Sequence, residues 1–399
     1  MAFTRNPSDT SVSPATYTAA GPSELDLTAQ PRDIAIDGSQ ETDTISVNAN
    51  GIETKSLTNY NVRGFEGNDI ITFEANTISN SVINGNIGAD VMTLTTGNFT
   101  NSYFLGGKGD DTVKSFGVNG GEVNGEVNGN IGNDTLDIRD GGANMYVGGG
   151  KNNDLIDVRG DFVRSIIDGN KDNDRINIVG GNHTDSSVNG GEGDDIITSA
   201  DGKSSGLVMN GDLGNDNLLS EFNLNTLMTG GEGNDTIDSI SNAGATSVIN
   251  GGVGADKITL REGGRGPDQS LETIIFNQGD SVAATEFAEI TSSGKSIVIF
   301  GNGVDTITGL TGGSDKVDIN FTPPAAIKNG KNLAFSTILE VGTITEFQGT
   351  FANNEFTLGA GGDYLYVAGG ENQTISQTFT SSSNMFVNKG SQLSIGDFV

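Results

Sequence analysis

Aspartate recurs along this chain at a nearly fixed interval: Asp69, Asp90, Asp111, Asp134, Asp154, Asp174, Asp195, Asp216, Asp235 and Asp256. The steps are 21, 21, 23, 20, 20, 21, 21, 19 and 21 residues. A carboxylate in a Gly-rich turn can do two things. It can accept hydrogen bonds from turn N–H groups, or it can serve as a hard-oxygen ligand for a cation. Both uses are open at this point. Other chemistries have few candidates. The chain has no Cys, which excludes disulfides, thiol catalysis and Cys-ligated zinc, and its single histidine, His183, excludes a His-cluster metal site. No HExxH, GxSxG or Walker motif occurs. A catalytic carboxylate pair on a β-helix, acting on a polysaccharide, stays open as an alternative because acids are so numerous.

Residues at fixed offsets from the recurring aspartate show what must position it. Two residues after it stand Ile71, Met92, Val113, Leu136, Ile156, Ile176, Ile197, Leu218, Ile237 and Ile258. Seven before it stand Val62, Ile83, Phe104, Val127, Val147, Ile167, Val188, Met209, Met228 and Ile249. Five before it is always Gly, and two before it is Gly in eight of the ten turns, the exceptions being Asn152 and Asp172. Asp43 fits as a degenerate first member, with Ile36, Gly38 and Ile45 in the matching columns. Period-2 alternation after the aspartate reads as a half-buried strand, and a second short strand precedes the turn. A unit of 21 residues cannot bury its own apolar side chains, so such units must stack. The expected fold is all-β: a parallel β-solenoid, β-roll or β-helix like, of about ten coils with strands ~4.8 Å apart, followed by a β-rich C-terminal domain. Asn84, Asn128, Asn189, Asn210 and Asn250 share one column, and are expected to bond to one another up the stack.

The turns read GFEGND, GNIGAD, GGKGDD, GNIGND, GGEGDD, GDLGND, GGEGND and GGVGAD. They resemble the RTX-type calcium-binding repeat, G-G-x-G-x-D-x-U-x. The resemblance implies calcium between adjacent turns, held by Asp69, Asp90, Asp111, Asp134, Asp195, Asp216, Asp235 and Asp256 with turn carbonyls. Asp154 and Asp174 lie in turns that lack the second Gly, so their sites are expected to be weak or empty. Asp305 keeps Gly303 and Ile307 in register and is a further candidate. The RTX repeat is nine residues long with a turn on both sides of the coil. Here the period is about 21 with one recognisable turn, so a single row of ions is expected.

The flanks differ. Residues 1–33 hold four of the seven prolines and read as an extended Pro-rich arm; 34–262 carry the solenoid. Residues 263–399 form a β-rich capping or assembly domain, since 11 of the 19 Phe fall after Asp256. Its GNGVDTITGL stretch and terminal SIGDFV resemble the C-terminal region of type I secreted RTX proteins, which would make the tail an export signal. A formal net charge of -31 argues against nucleic acid and anionic membranes as partners, and the sequence contains no run of 18 apolar residues that would read as a membrane span. The functional expectation is a non-enzymatic, calcium-stabilised extracellular structural protein: a self-associating surface-layer, filament, matrix or adhesin subunit that meets a cell-surface glycan. A virion structural protein, a tail fibre or capsid appendage, is the alternative.

Overall fold

The computed structural model describes residues 32–48, 56–117, 124–139, 141–200, 205–221, 225–241 and 245–262. It also describes the shorter stretches 4–5, 15–18, 24–28, 271–275, 286–290, 295–299, 305–308, 316–318, 326–329, 343–352, 355–368 and 385–398. The described residues are mostly strand with no α-helix, as an all-β reading requires, and parallel coils recur about nine times over 56–261. The chain divides into two compact units, Met1–Val208 and Met209–Val399.

In the first unit the coils stack two long faces, and three of them add a narrow third side. The first face stacks the strands Val82–Ile87, Tyr103–Lys108, Glu126–Ile131, Tyr146–Lys151, Ile166–Lys171 and Ser187–Glu192 in parallel. Pairing keeps the columns intact: Ile83 meets Phe104, which meets Val127. The second face stacks Val91–Thr100, Thr112–Gly117, Thr135–Ile138, Leu155–Arg159, Arg175–Val179 and Ile196–Ala200. A third, narrow side pairs Gly142–Ala143, Phe162–Val163 and His183–Thr184. The two apolar columns read from the sequence form the core: Ile83, Phe104, Val127, Val147, Ile167 and Val188 oppose Met92, Val113, Leu136, Ile156, Ile176 and Ile197, all at most 1% exposed. One-residue alternation explains why a strip this thin suffices, because every second side chain points outward. The early coils are wider. Tyr60, Phe73, Phe104 and Phe99 pack edge to face in a chain, with centroids 5.4–6.1 Å apart.

Residues expected as an arm contain strands in the same register. Ala15–Thr18 pairs in parallel with Arg32–Asp37, and Glu24–Thr28 with Thr44–Asn48. Thr4–Arg5 pairs antiparallel to the first of these. The four prolines, Pro7, Pro14, Pro22 and Pro31, lie outside the described residues.

In the second unit the same faces recur. Asn217–Glu221, Thr236–Ser241 and Lys257–Glu262 stack in parallel, as do Leu227–Glu232 and Thr246–Val253. Parallel pairing runs on past residue 262. Thr246–Val253 pairs with Leu271–Ile275, which pairs with Lys316–Asp318, and Lys257–Glu262 pairs with Asp305–Thr308. Asp305–Thr308 then pairs with Met385–Lys389, which turns the stack into an antiparallel sheet with Asp363–Ala368 and Thr343–Ala352. Phe347, Phe356, Leu365, Phe386 and Val387 fill its core. The C-terminal residues pack onto it: Phe398 is buried against Tyr366 and Phe386, and Asp397 closes a capping box with Ser394.

Candidate metal centre

The recurring aspartate stands at the corner between the first and second faces. The chain rounds that corner through two left-handed residues, four and two before the Asp. At the first of these the coils use Asn86, Gly107, Asn130, Gly150, Asn170 and Gly191, residue types that tolerate positive φ. At the second, Gly88 sits at φ +144°, and a methyl group built on it would strike the Gly67 carbonyl of the preceding coil. Asn152 (φ 77°) and Asp172 (φ 74°) round the same corner in the αL region.

Each carboxyl folds into the corner. Asp43, Asp69, Asp90, Asp111, Asp134, Asp154, Asp174 and Asp195 in the first unit, and Asp216, Asp235 and Asp256 in the second, are all 0–3% exposed. Their Oδ1 atoms accept a backbone N–H from the aspartate of the preceding coil. In the first unit this runs from Asp43 to Asp195 without a break, at 2.7–2.8 Å. In the second, Asp216 N–H donates to Asp235 and Asp235 N–H to Asp256, both at 2.8 Å. The invariant Gly five before each Asp has its reason here. A methyl group at Gly64, Gly85, Gly106, Gly129, Gly149 or Gly169 would land on Oδ2 of the aspartate in its own coil. Asp154 and Asp174, which the turn sequence set apart, sit in the row like the others.

The second carboxylate oxygen is the unusual one. Oδ2 of Asp69, Asp90, Asp111, Asp134, Asp154 and Asp174 is buried with no hydrogen-bond partner. At Gly64, Gly85, Gly106 and Gly169 the built methyl meets both that Oδ2 and the carbonyl oxygen of the next coil's glycine, at 2.5–2.7 Å for the carbonyl. Oδ2 and a carbonyl oxygen of the next coil therefore border the same glycine in these four corners. Burial dominates the electrostatics and pushes these carboxyls up, to about 7 in Asp69, about 6 in Asp90 and Asp134, and about 8 in Asp111, Asp154 and Asp174. The accepted N–H opposes burial, and neighbouring aspartates reinforce it.

A buried, unbonded carboxylate oxygen beside a carbonyl oxygen is donor chemistry that calcium takes. Among the described residues no three acidic or His side chains cluster, so one carboxylate per coil would have to be supplemented by carbonyl oxygens. Asp305 is in register, since Thr306 N–H donates to the Asp256 carbonyl at 2.8 Å; its side chain lies outside the described residues.

Three further features of the coil bear on the corner. Two of the asparagines expected to ladder bond locally instead: Asn84 and Asn128 each accept the N–H two residues on, from Asn86 and Asn130. Their side chains point to solvent at a left-handed bulge, where a local bond is nearer than the next coil. The amide ladder stands instead in the position just before the Asp. Ala89 N–H donates to Asn68, Asn133 to Asp110, Asn153 to Asn133, Asn173 to Asn153 and Asp194 to Asn173, at 2.8–3.2 Å. It runs opposite to the buried Asp ladder, so each corner is tied in both directions. A serine row at the corner before the first face is the feature missed from sequence: Ser81 Oγ accepts from Tyr60 N–H, Ser102 from Ser81, Ser165 from Met145 and Ser186 from Ser165, at 3.0–3.2 Å. His183 is a core residue. It stacks on Phe162 and donates from Nε2 to the Gly180 carbonyl at 2.8 Å, and burial lowers its pKa.

No protein-family model matches the chain, and no curated protein matches it.

Proposed function

We propose that this protein is a calcium-stabilised structural solenoid that works outside the cell, without catalytic activity, as a self-associating surface-layer, filament, matrix or adhesin subunit. The row of buried Oδ2 atoms supports this reading most directly. Ionising a buried carboxylate that leaves one oxygen without a partner is costly, and here six such Oδ2 atoms follow one another in successive coils. Calcium would be held by Asp69, Asp90, Asp111, Asp134, Asp154, Asp174, Asp195, Asp216, Asp235, Asp256 and Asp305 with glycine carbonyls, and when bound it supplies the positive charge that the interior lacks. A ligand that binds the folded coils and not the unfolded chain stabilises by RT ln(1 + [L]/Kd), about 2.7 kcal/mol per site at a hundredfold excess over Kd. Weak sites suit millimolar extracellular calcium, and the uncompensated charge of the metal-free chain disfavours the compact state.

Two observations support the structural role. The most regular acids of the sequence are enclosed, so they do not reach a substrate. The outward columns carry exposed apolar side chains, including Ile70, Val91 and Ile196 in one column of the second face, which suit contacts between copies. Among the described residues no helix is long and apolar enough to cross a membrane. The test is to strip the protein with chelator and titrate calcium back while recording far-UV circular dichroism, melting and sedimentation. The reading predicts a higher melting temperature and larger assemblies at millimolar calcium. Identical curves with and without calcium refute it.

A further inference from the structure

On the outer side of the first face, four coils of the first unit form an open groove of about 420 Å³. Its apolar steps are Phe65 (38% exposed), Ile87 (48%) and Ile131 (39%). Its amides are Asn84, Asn86 and Asn130.

Phe65 is out of place by the logic of the coil. It occupies the left-handed position four before the aspartate, at φ 78°, where every other coil of the unit from Asp90 onward has Asn or Gly. A bulky side chain at positive φ is a genuine outlier, and such strain concentrates at functional sites. The ring is also held. Arg63 lies over it, 5.1 Å from guanidinium carbon to centroid, and Arg63 is fixed by Asp37, whose Oδ1 accepts from Nε and pairs with Nη2, both at 2.8 Å. A strained, exposed, pre-oriented aromatic facing a groove costs stability without filling the core.

The polar groups of the groove narrow the ligand. Asn86 and Asn130 spend Nδ2 on the carbonyls of Asn84 and Asn128, and Asn84 spends Oδ1 on Asn86 N–H. Acceptors at Asn86 and Asn130 and a donor at Asn84 are left for a ligand. The charges at its rim balance, one Glu66 against one Lys108, on a chain of net charge -31. Strand addition is not available, because the groove lies on a sheet face whose backbone groups are already paired between coils. A ligand that fits presents apolar faces alternating with groups that both donate and accept, carries no net charge, and runs along the coil axis. We propose that this groove binds an uncharged oligosaccharide, with Phe65 as the stacking platform and Asn84, Asn86 and Asn130 as the hydroxyl partners.

The experiment uses the full chain and the probes cellohexaose, laminarihexaose, maltohexaose, mannohexaose and chitohexaose, with heparin and polygalacturonate as charged controls, in isothermal titration calorimetry. The expected result is saturable binding of at least one neutral hexaose. Phe65→Gly is expected to weaken it at least tenfold while leaving the melting temperature unchanged or raised, because glycine accepts the φ that phenylalanine strains. Asn130→Gly, also compatible with the left-handed position, is expected to weaken it several-fold. Binding of none of the five hexaoses at millimolar concentration overturns the proposal. So does binding that Phe65→Gly and Asn130→Gly leave unchanged, binding of the charged polymers alone, or a fall of several degrees in melting temperature for Phe65→Gly, which would make the ring a structural element. None of these outcomes depends on calcium.

Discussion

Gly149→Ala tests the reason given for the glycine that never varies. The φ of Gly149 is not left-handed, so alanine is acceptable to its backbone, and the three atoms nearest the methyl group all belong to Asp154: Oδ2 first, then Cβ and Cγ at 2.9 Å. Overpacking of this kind costs about 1–3 kcal/mol. Alanine's lower chain entropy returns about 0.4–1 kcal/mol. The expected net loss is about 1–2 kcal/mol. The local readout is native-state hydrogen exchange of the Asp134 amide, which donates to Asp154 Oδ1 at 2.7 Å; a loss of that size speeds its exchange roughly 5- to 30-fold. Measurement at pH 5 keeps the Asp154 carboxyl, pushed up to about 8, in its neutral form. An Asp154→Ala background removes Oδ2 and Cγ and leaves Cβ at 2.9 Å, so Gly149→Ala should cost less there, and the two changes should couple by about 1 kcal/mol. Global stability is followed by urea denaturation. If Gly149→Ala alters neither exchange nor stability beyond about 0.5 kcal/mol, or if its cost is the same with Asp154→Ala, the glycine column is not there to admit the carboxyl.

The raised carboxyls fix the sign of the pH dependence. The folded state holds these protons to about pH 6–8 while the unfolded carboxyls release them near the ordinary aspartate value of 3.8, so the folded state binds more protons between those limits and metal-free stability falls as pH rises through them. Urea midpoints from pH 4 to 9 check this, and a rise across that window contradicts it. Asp134→Asn keeps an acceptor for Asp111 N–H and cannot ionise. It should therefore leave the metal-free protein as stable or more stable at pH 8 while lowering calcium uptake by about one site. Ser165→Ala leaves Met145 N–H, now bonded at 3.1 Å, buried without its acceptor. It should cost about 1–3 kcal/mol, read as a urea midpoint and as faster exchange of the Met145 amide.

The columns with strict chemistry were legible and those with mixed chemistry were not. The apolar residues at minus seven and plus two recur without exception, and the structure buries them as the core. The glycine at minus five was equally clear as a pattern, but its cause was not, because a sequence does not show that the Asp side chain folds back over it. The serine row escaped notice because Gly125, Met145 and Leu207 interrupt it; the corner requires only small or apolar groups there, and serine adds a bond where it occurs. The asparagine column suggested a ladder, yet a left-handed residue two positions on offers Asn84 and Asn128 a nearer N–H. Ala15–Thr18 and Glu24–Thr28 carry no Gly-rich corner between them, so nothing in the repeat pattern marked them as coil strands. Past Glu262 the period vanishes because long insertions separate strands that still stack: Lys257 pairs with Thr306, and Thr273 with Lys316.

Calcium stabilisation requires an ion in the aspartate corners. Crystals of the full chain grown in calcium, measured at a wavelength where calcium scatters anomalously, test it directly. A row of anomalous peaks beside Oδ2 of Asp69, Asp90, Asp111, Asp134, Asp154 and Asp174 is the predicted result. Corners with no peak at saturating calcium, and neutral carboxyls bonded to the neighbouring glycine carbonyls in their place, would contradict it.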